Sequence, residues 1–402
     1  MPWRRPRKKV ERPVNVSRAI EETLEEISAA DDEDDSVELA DVDGASIVEA
    51  ATGEADTDAR TPSPLAEQLS RVELSDSAVV TPVRSTERPE DGVDLAVDAA
   101  RGLRLRNPVL TASGTFGQGI EYAELIDVSR LGAIVNKGTT VLARPGNPQY
   151  RIAETPSGIL NSIGLENPGA AGVAKKYAKA WAQLGVPVIV NVAGYSVDDY
   201  VTVVSEFAGI KSVVAYELNI SCPNVKGGML FGFDPDLAGQ VTAAVKQETD
   251  LPVIVKLTPN APDVVAVARA IEQAGADGIT AINTVLGMRI DTKKRRPILG
   301  TGSGGLSGPA IRPIAVHITY QVAQAVSIPI IGAGGVTNAE DALEFLMAGA
   351  SAVQVGTATF ADPLAPLKVI EGLAAYVRTH GLSSIREVIG VALPHASPDG
   401  ER

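Results

Sequence analysis

Eight short apolar runs, recurring from about residue 109 to residue 356, limit what this chain can fold into more than any other feature of it. They are PVLTA near Val109, AIVNK ending at Lys137, PVIVNV ending at Val192, AYELNI ending at Ile220, PVIVKL ending at Leu257, GITAIN ending at Asn283, PIIGAG ending at Gly334 and AVQVG ending at Gly356. Runs that are apolar at consecutive rather than alternate positions suit strands covered on both faces. Helical patterns follow most of them, so neighbouring strands would lie parallel, and eight such units close into a (β/α)8 barrel. An open doubly wound sheet is the alternative; it is disfavoured because no glycine fingerprint follows the first run.

The rest of the chain is divided by composition. Residues 1–91 contain a single aromatic, Trp3, and carry the acidic run Asp31, Asp32, Glu33, Asp34 and Asp35 before the proline-broken ATGEADTDARTPSP. A segment that poor in apolar groups cannot offset its ordering entropy, so residues 1–91 are expected to be a disordered acidic tail. Within it Ile20, Leu24 and Ile27 share one face of a possible short helix. The barrel is expected over residues 92–396, with 397–402 as a C-terminal tail.

Several function classes are made improbable by the same inventory. The basic start MPWRRPRKK precedes ERPVNVSRAIEETLEEI rather than an apolar core, which is unlike a signal sequence, and no run of 18 apolar residues offers a membrane span. A formal charge of −14 opposes nucleic-acid binding over a broad face, with the clusters at residues 4–9 and 293–296 as local exceptions. One cysteine excludes an internal disulfide or a four-cysteine iron-sulfur centre, and no metal site is expected. A cytoplasmic protein is the simplest reading.

In a barrel of this kind chemistry collects where strands end. The ends here are polar or glycine-rich in every case: Ser113, Lys137, Asn191, Asn219, Lys256, Asn283 with Thr284, Gly334 with Gly335, and Gly356 with Thr357. One buried Asn or Lys is commonly a structural group, but recurrence around the ring points to a ligand. The glycines of GAGGV and VGTA, at the mouths of strands seven and eight, suit a backbone cradle for phosphate and hence a phosphorylated cofactor. Amide side chains offer both donor and acceptor, so Asn161, Asn219 and Asn283 would frame a planar imide or ureide ring. Lys137 would hold a carboxylate or a flavin edge, and Lys256 would face charge developing on a reduced flavin.

Taken in order, TASGTFGQG, NKGTT, ETPSGILNSIGLENPG, NVAG, ELNISCPNVKGGMLFG, VKLTPN, INTVLGMRID, GGLSGPAIRP, GAGGVTNAEDALEF and VGTATF resemble the catalytic subunit of class 1B dihydroorotate dehydrogenases over residues 95–394. The resemblance implies an FMN enzyme, one flavin per chain, oxidising dihydroorotate to orotate in pyrimidine (UMP) biosynthesis. It assigns Ser113, Lys137, Gly138, Asn191, Asn219, Lys256, Ile282, Gly308, Gly334, Gly335, Gly356 and Thr357 to flavin binding. Lys137, Asn161, Ser162, Ile163, Gly164, Leu165, Asn219, Asn283 and Thr284 would contact dihydroorotate.

Cys222, the one cysteine, looks like the base that removes a proton from carbon 5 while hydride leaves carbon 6. A free thiol ionises near 8.5 and needs its site to lower that value before it is a good base at neutral pH. Gly227 and Gly228 would let its loop close over substrate. The alternative, an inert buried thiol, is disfavoured by the position beyond a strand end and before Pro223. Serine is the base in the membrane-associated class 2 enzymes. NVKGGMLFG and GMRID favour class 1B over the fumarate-reducing class 1A, which implies NAD as acceptor through a partner subunit carrying FAD and a [2Fe-2S] cluster, in a two-plus-two heterotetramer. LGTGSGGLSG departs from the family pattern in lacking a basic or amide residue before its glycine pair, so the lid there is expected to differ. Two competing readings are a dihydrouridine-synthase-like flavin barrel, disfavoured by the acidic charge, and a ligand-binding scaffold, disfavoured by the joint presence of Lys137, Cys222 and Lys256.

Overall fold

A computed structural model describes residues 90–221 and 231–394. The expectations for residues 1–89, for the loop with Cys222, Gly227 and Gly228, and for residues 397–402 lie outside the described residues.

All eight apolar runs are strands. They are β1 (Val109–Thr111), β2 (Ile134–Val135), β3 (Val188–Val192), β4 (Val213–Asn219), β5 (Val253–Lys256), β6 (Gly278–Ala281), β7 (Ile330–Ala333) and β8 (Ala352–Val355). Every pairing is parallel, and the order runs β2-β3-β4-β5-β6-β7-β8-β1. A parallel bridge from Leu110 to Ala133 joins the two ends, so the sheet closes into the barrel and the open-sheet alternative is excluded.

Among the described residues, seven helices of nine residues or more follow β2 through β8: α1 (Ala170–Trp181), α2 (Val197–Glu206), α3 (Pro235–Glu248), α4 (Val264–Gln273), α5 (Arg312–Ala323), α6 (Ala339–Met347) and α7 (Ala365–Thr379). Their starts are written in the sequence. Ser196, Asp234, Asp263 and Asn338 each accept a backbone N–H of the first turn, satisfying donors that have no partner inside the helix. Each helix lays its apolar stripe on the strands. On α1 that stripe ends in Trp181, which is almost fully buried and donates its indole N–H to the Gln118 carbonyl at 2.8 Å. Truncating a ring buried in this way costs about 3–5 kcal/mol.

Two additions to the barrel position its ends. A hairpin, Val97–Ala100 with Leu103–Leu105, turns at Gly102 (φ +78°) and covers the floor under β6, β7 and β8. At the mouth, Ile152–Thr155 and Gly158–Asn161 from the β2 to α1 connection join Gly304–Ser307 and Val285–Gly287 from the β6 to α5 connection in a four-stranded antiparallel sheet. The glycine-rich LGTGSGGLSG segment is therefore partly a strand of that sheet.

Candidate functional site

Alternation along β4 decides which side chains meet inside the barrel. Tyr216 faces outward, where burial, helped by the Glu248 charge, pushes its phenol up to about 12 and its hydroxyl donates to the Val204 carbonyl at 3.2 Å. Glu217 and Asn219 face inward. Glu217 is fully buried, and around its carboxylate stand residues from four other strands. Asn191 Nδ2 lies 2.7 Å from Oε1, Lys256 Nζ 3.5 Å from Oε1 and Thr280 Oγ1 2.8 Å from Oε2, while Gln354 Nε2 also donates to Oε2. Lys256 crosses the barrel to place Nζ 2.8 Å from Gln354 Oε1. The Asn191 Oδ1 atom, turned away from the carboxylate, is buried with no partner. It lies 3.0 Å from where a side chain on Gly138 would begin, so the absence of a Cβ there leaves room beside an unpartnered acceptor.

One level higher, at the strand ends, Asn219 Oδ1 accepts from Ser221 N at 3.3 Å and Asn283 Nδ2 at 3.2 Å. Asn283 Oδ1 in turn accepts from Thr284 N at 2.8 Å. These bonds hold both amides, and the NH2 of Asn219 has no acceptor among the described residues. Thr284 lies against Gly305: a Cβ on Gly305 would meet Thr284 Oγ1 at 2.1 Å. Asn161, paired with Gly305 across the small sheet, donates Nδ2 to its carbonyl at 3.2 Å. Asn161, Asn219, Asn283 and Thr284 are thus assembled on one rim.

The segment 162–165 continues from Asn161 as a wall beside Gly138, and its carbonyls are all hydrogen-bonded within the protein. Ser162 O accepts from Asn147 Nδ2, Ile163 O from Asn147 N, Gly164 O from Arg144 Nε and Leu165 O from Asn167 Nδ2. Among the described residues the N–H groups of Ile163, Gly164 and Leu165 find no acceptor, which leaves three backbone donors for an anionic or carbonyl oxygen. Gly164 (φ +80°) and Leu165 (φ +55°) shape that wall, and for Leu165 this conformation is strained. Leu165 packs over Gly138, beside Lys137, whose ammonium makes no ion pair among the described residues.

The phosphate-cradle expectation rests on Gly334, Gly335 and Gly356, and the structure sets Gly308 beside them. A Cβ on Gly335 (φ +83°) would sit 2.8 Å from the Gly308 carbonyl, and one on Gly308 would sit 3.5 Å from Thr357 Cγ2. Thr357 Oγ1 donates to Ser307 Oγ at 2.8 Å. Gly334 adjoins the start of α5 at Ala315, and Gly356 adjoins Ala112, next to Ser113. Ile282 is buried behind this group, its N–H on the Ala333 carbonyl. The described candidates therefore gather at the strand-end mouth of the barrel, with Asn191 and Lys256 in the buried layer just beneath it.

Three contributors escaped sequence reasoning: Glu217, Gln354 and Asn167. The first two stand two residues before Asn219 and Gly356, so period-two reading of the strands would have placed them inward. Asn167 staples the wall, accepting from Thr140 N and Gly169 N while donating to Thr140 Oγ1 and Leu165 O. Chemically, the mouth offers, among the described residues, backbone donors without an acceptor at 163–165, the amides of Asn161, Asn219 and Asn283, and a buried acceptor without a partner in Asn191 Oδ1. Among the described residues no cluster of three His, Cys, Asp or Glu side chains is placed to hold a metal, and no helix is long and apolar enough to cross a membrane.

Comparison with known proteins agrees with this geometry. The profile of the family described as "Dihydroorotate dehydrogenase" matches residues 95–377. A Bacillus pumilus protein named "Dihydroorotate dehydrogenase B (NAD(+)), catalytic subunit" is 55% identical over 295 residues, 73% of this chain and 95% of its own length. Proteins of the same name from Geobacillus kaustophilus (56% over 290 residues, 72% and 93%) and Desulforamulus reducens (52% over 301 residues, 75% and 99%) are similar to it in the same way.

Proposed function

The chain belongs to the dihydroorotate dehydrogenase family, and from that membership we propose that it is the catalytic subunit of a class 1B, NAD-linked enzyme. It is an oxidoreductase that acts on dihydroorotate, giving orotate for pyrimidine biosynthesis. The observation that carries the reading is a pair of features: N–H groups at 163–165 that have no acceptor among the described residues, near Lys137, and the rim of Asn219, Asn283 and Thr284. The first suits a ring carboxylate, and the second suits the adjoining ureide.

The residues present fit FMN. The unpartnered Asn191 Oδ1 and the Gly138 gap suit the edge of its ring, and Gly308, Gly334, Gly335, Gly356 and Thr357 suit its phosphate. Bound there, FMN would supply the acceptor for the hydride leaving carbon 6. Lys137 and the 163–165 donors orient the substrate carboxylate, while Asn161, Asn219, Asn283 and Thr284 fix the ring plane. Cys222, as thiolate, takes the carbon 5 proton, so a proton and a hydride leave and the carbon 5 to carbon 6 double bond forms. Ser113, Lys256 and Ile282 line the cofactor side. A partner subunit carrying FAD and a [2Fe-2S] cluster, two of each chain in the complex, would supply the route to NAD, and the enzyme would work in the cytoplasm. Residues 92–396 form the catalytic domain, and residues 1–91 and 397–402 are tails outside it.

Anaerobic mixing of FMN-loaded protein with dihydroorotate, following flavin absorbance, tests the proposal. Wild type should bleach rapidly and Cys222→Ser slowly at pH 7. Flavin that stays oxidised in the wild type would refute the substrate, and equal rates would refute the base.

A further inference from the structure

A carboxylate sealed inside a barrel is costly unless something uses its charge. Glu217 is such a group, and all four of its partners, Asn191 Nδ2, Lys256 Nζ, Thr280 Oγ1 and Gln354 Nε2, approach as donors. An ionised carboxylate has no proton to give. Asn191 must therefore turn its NH2 inward and its oxygen toward Gly138, where that oxygen is buried without a partner. Gln354 is set the same way: its NH2 faces Glu217, so its oxygen faces Lys256 at 2.8 Å. Lys256 is almost fully buried, and Glu217 is the acidic residue it pairs with among the described residues.

We propose that Glu217 is a positioning residue that fixes the hydrogen-bond polarity of the cofactor pocket, through Asn191, and its charge, through Lys256. The pocket then selects a ring bearing an N–H donor at its edge, and an oxidised flavin has one such group, its imide N3–H. The inference rests on the flavin reading given above. It makes Asn191 an acceptor by construction, because the alternative amide orientation would set its oxygen against the carboxylate of Glu217 and turn its NH2 toward Gly138.

Two measurements on the full chain, neither of them turnover, test it: the Kd of apoprotein for FMN and for N3-methyl-FMN, and the midpoint potential of bound FMN. Wild type should prefer FMN to the N3-methyl analogue by tenfold or more. Glu217→Gln frees the amide to turn, so that ratio should fall at least fivefold. Loss of the buried negative charge should shift the two-electron equilibrium at least tenfold toward reduced flavin, a potential about 30 mV more positive. A variant that loses affinity for both ligands equally and keeps its potential would overturn the proposal, since a purely structural carboxylate predicts that pattern. If Glu217→Gln fails to fold, Asn191→Ala, which leaves the carboxylate three donors, must still lose the preference for FMN; retention overturns the proposal. Wild-type protein that binds neither flavin overturns the flavin reading and this inference with it, whereas discrimination retained in the variants overturns this inference alone.

Discussion

Adding one methyl group at Gly138 tests the geometry of the cofactor pocket most directly. The backbone there is not in the left-handed region, so alanine carries no conformational penalty. Its Cβ would stand 3.0 Å from Asn191 Oδ1 and 3.2 Å from Leu165 Cδ2. Leu165 can rotate away, but Asn191 cannot retreat, because its amide is held at 2.7 Å by Glu217 and its backbone N–H at 2.7 Å by Asn136 Oδ1. The methyl therefore occupies the approach to the acceptor. Loss of one such hydrogen bond with some crowding amounts to about 1–2 kcal/mol, or about a five- to thirtyfold rise in Kd. Titrating apoprotein with FMN by fluorescence quenching gives the Kd, and thermal melting of the apoprotein gives stability. Gly138→Ala should weaken FMN by that factor while the apo Tm stays within a degree or two. An unchanged Kd would refute the claim that Asn191 Oδ1 faces the cofactor, and a large drop in apo Tm would show that Gly138 serves packing instead.

Two further outcomes follow from other contacts. Asn167→Ala strips acceptors from Thr140 N and Gly169 N and a donor from Leu165 O. It should destabilise the 163–165 wall by about 2–3 kcal/mol and raise KM for dihydroorotate by about tenfold or more, with a smaller change in kcat; steady-state kinetics read both. Asp94 is held below the usual carboxylate range, first by the Ala96 N–H and then by Arg386. Because its folded-state value is depressed, the stability it contributes is fully present above 3.8 and fades as pH falls through the lower value. Asp94→Asn should therefore lower Tm at pH 7 and flatten the acid limb of a Tm against pH curve; an unaltered limb would refute the linkage.

The barrel was legible because strands such as β3 and β5 are buried on both faces, and continuous runs like VIVNV and VIVK leave no other economical burial. The polar strand ends were legible for the complementary reason, that an Asn or Lys closing such a run has no water to face. The floor hairpin and the mouth sheet were not. Their strands span four residues or fewer, and pairs such as Asn161 with Gly305 join segments 144 residues apart, beyond the reach of local pattern. Glu217 was hidden too, since its meaning comes from Asn191, Lys256, Thr280 and Gln354 on four other strands, none adjacent to it in sequence.

The floor hairpin also sets an order of events. Val97–Ala100 belongs to the first part of the folded unit to be synthesised, yet it rests on β6, β7 and β8, with Ala100 against Gly278 and the Ala96 carbonyl taken by Arg386, 290 residues later. Contacts of such long sequence separation form only after a large loop-closure cost. A nascent chain therefore carries this apolar hairpin uncovered until about residue 355 has left the ribosome, and at 5–20 residues per second that exposure lasts roughly 12–50 seconds. Chaperone demand should accordingly concentrate in the interval between emergence of the hairpin and emergence of β8.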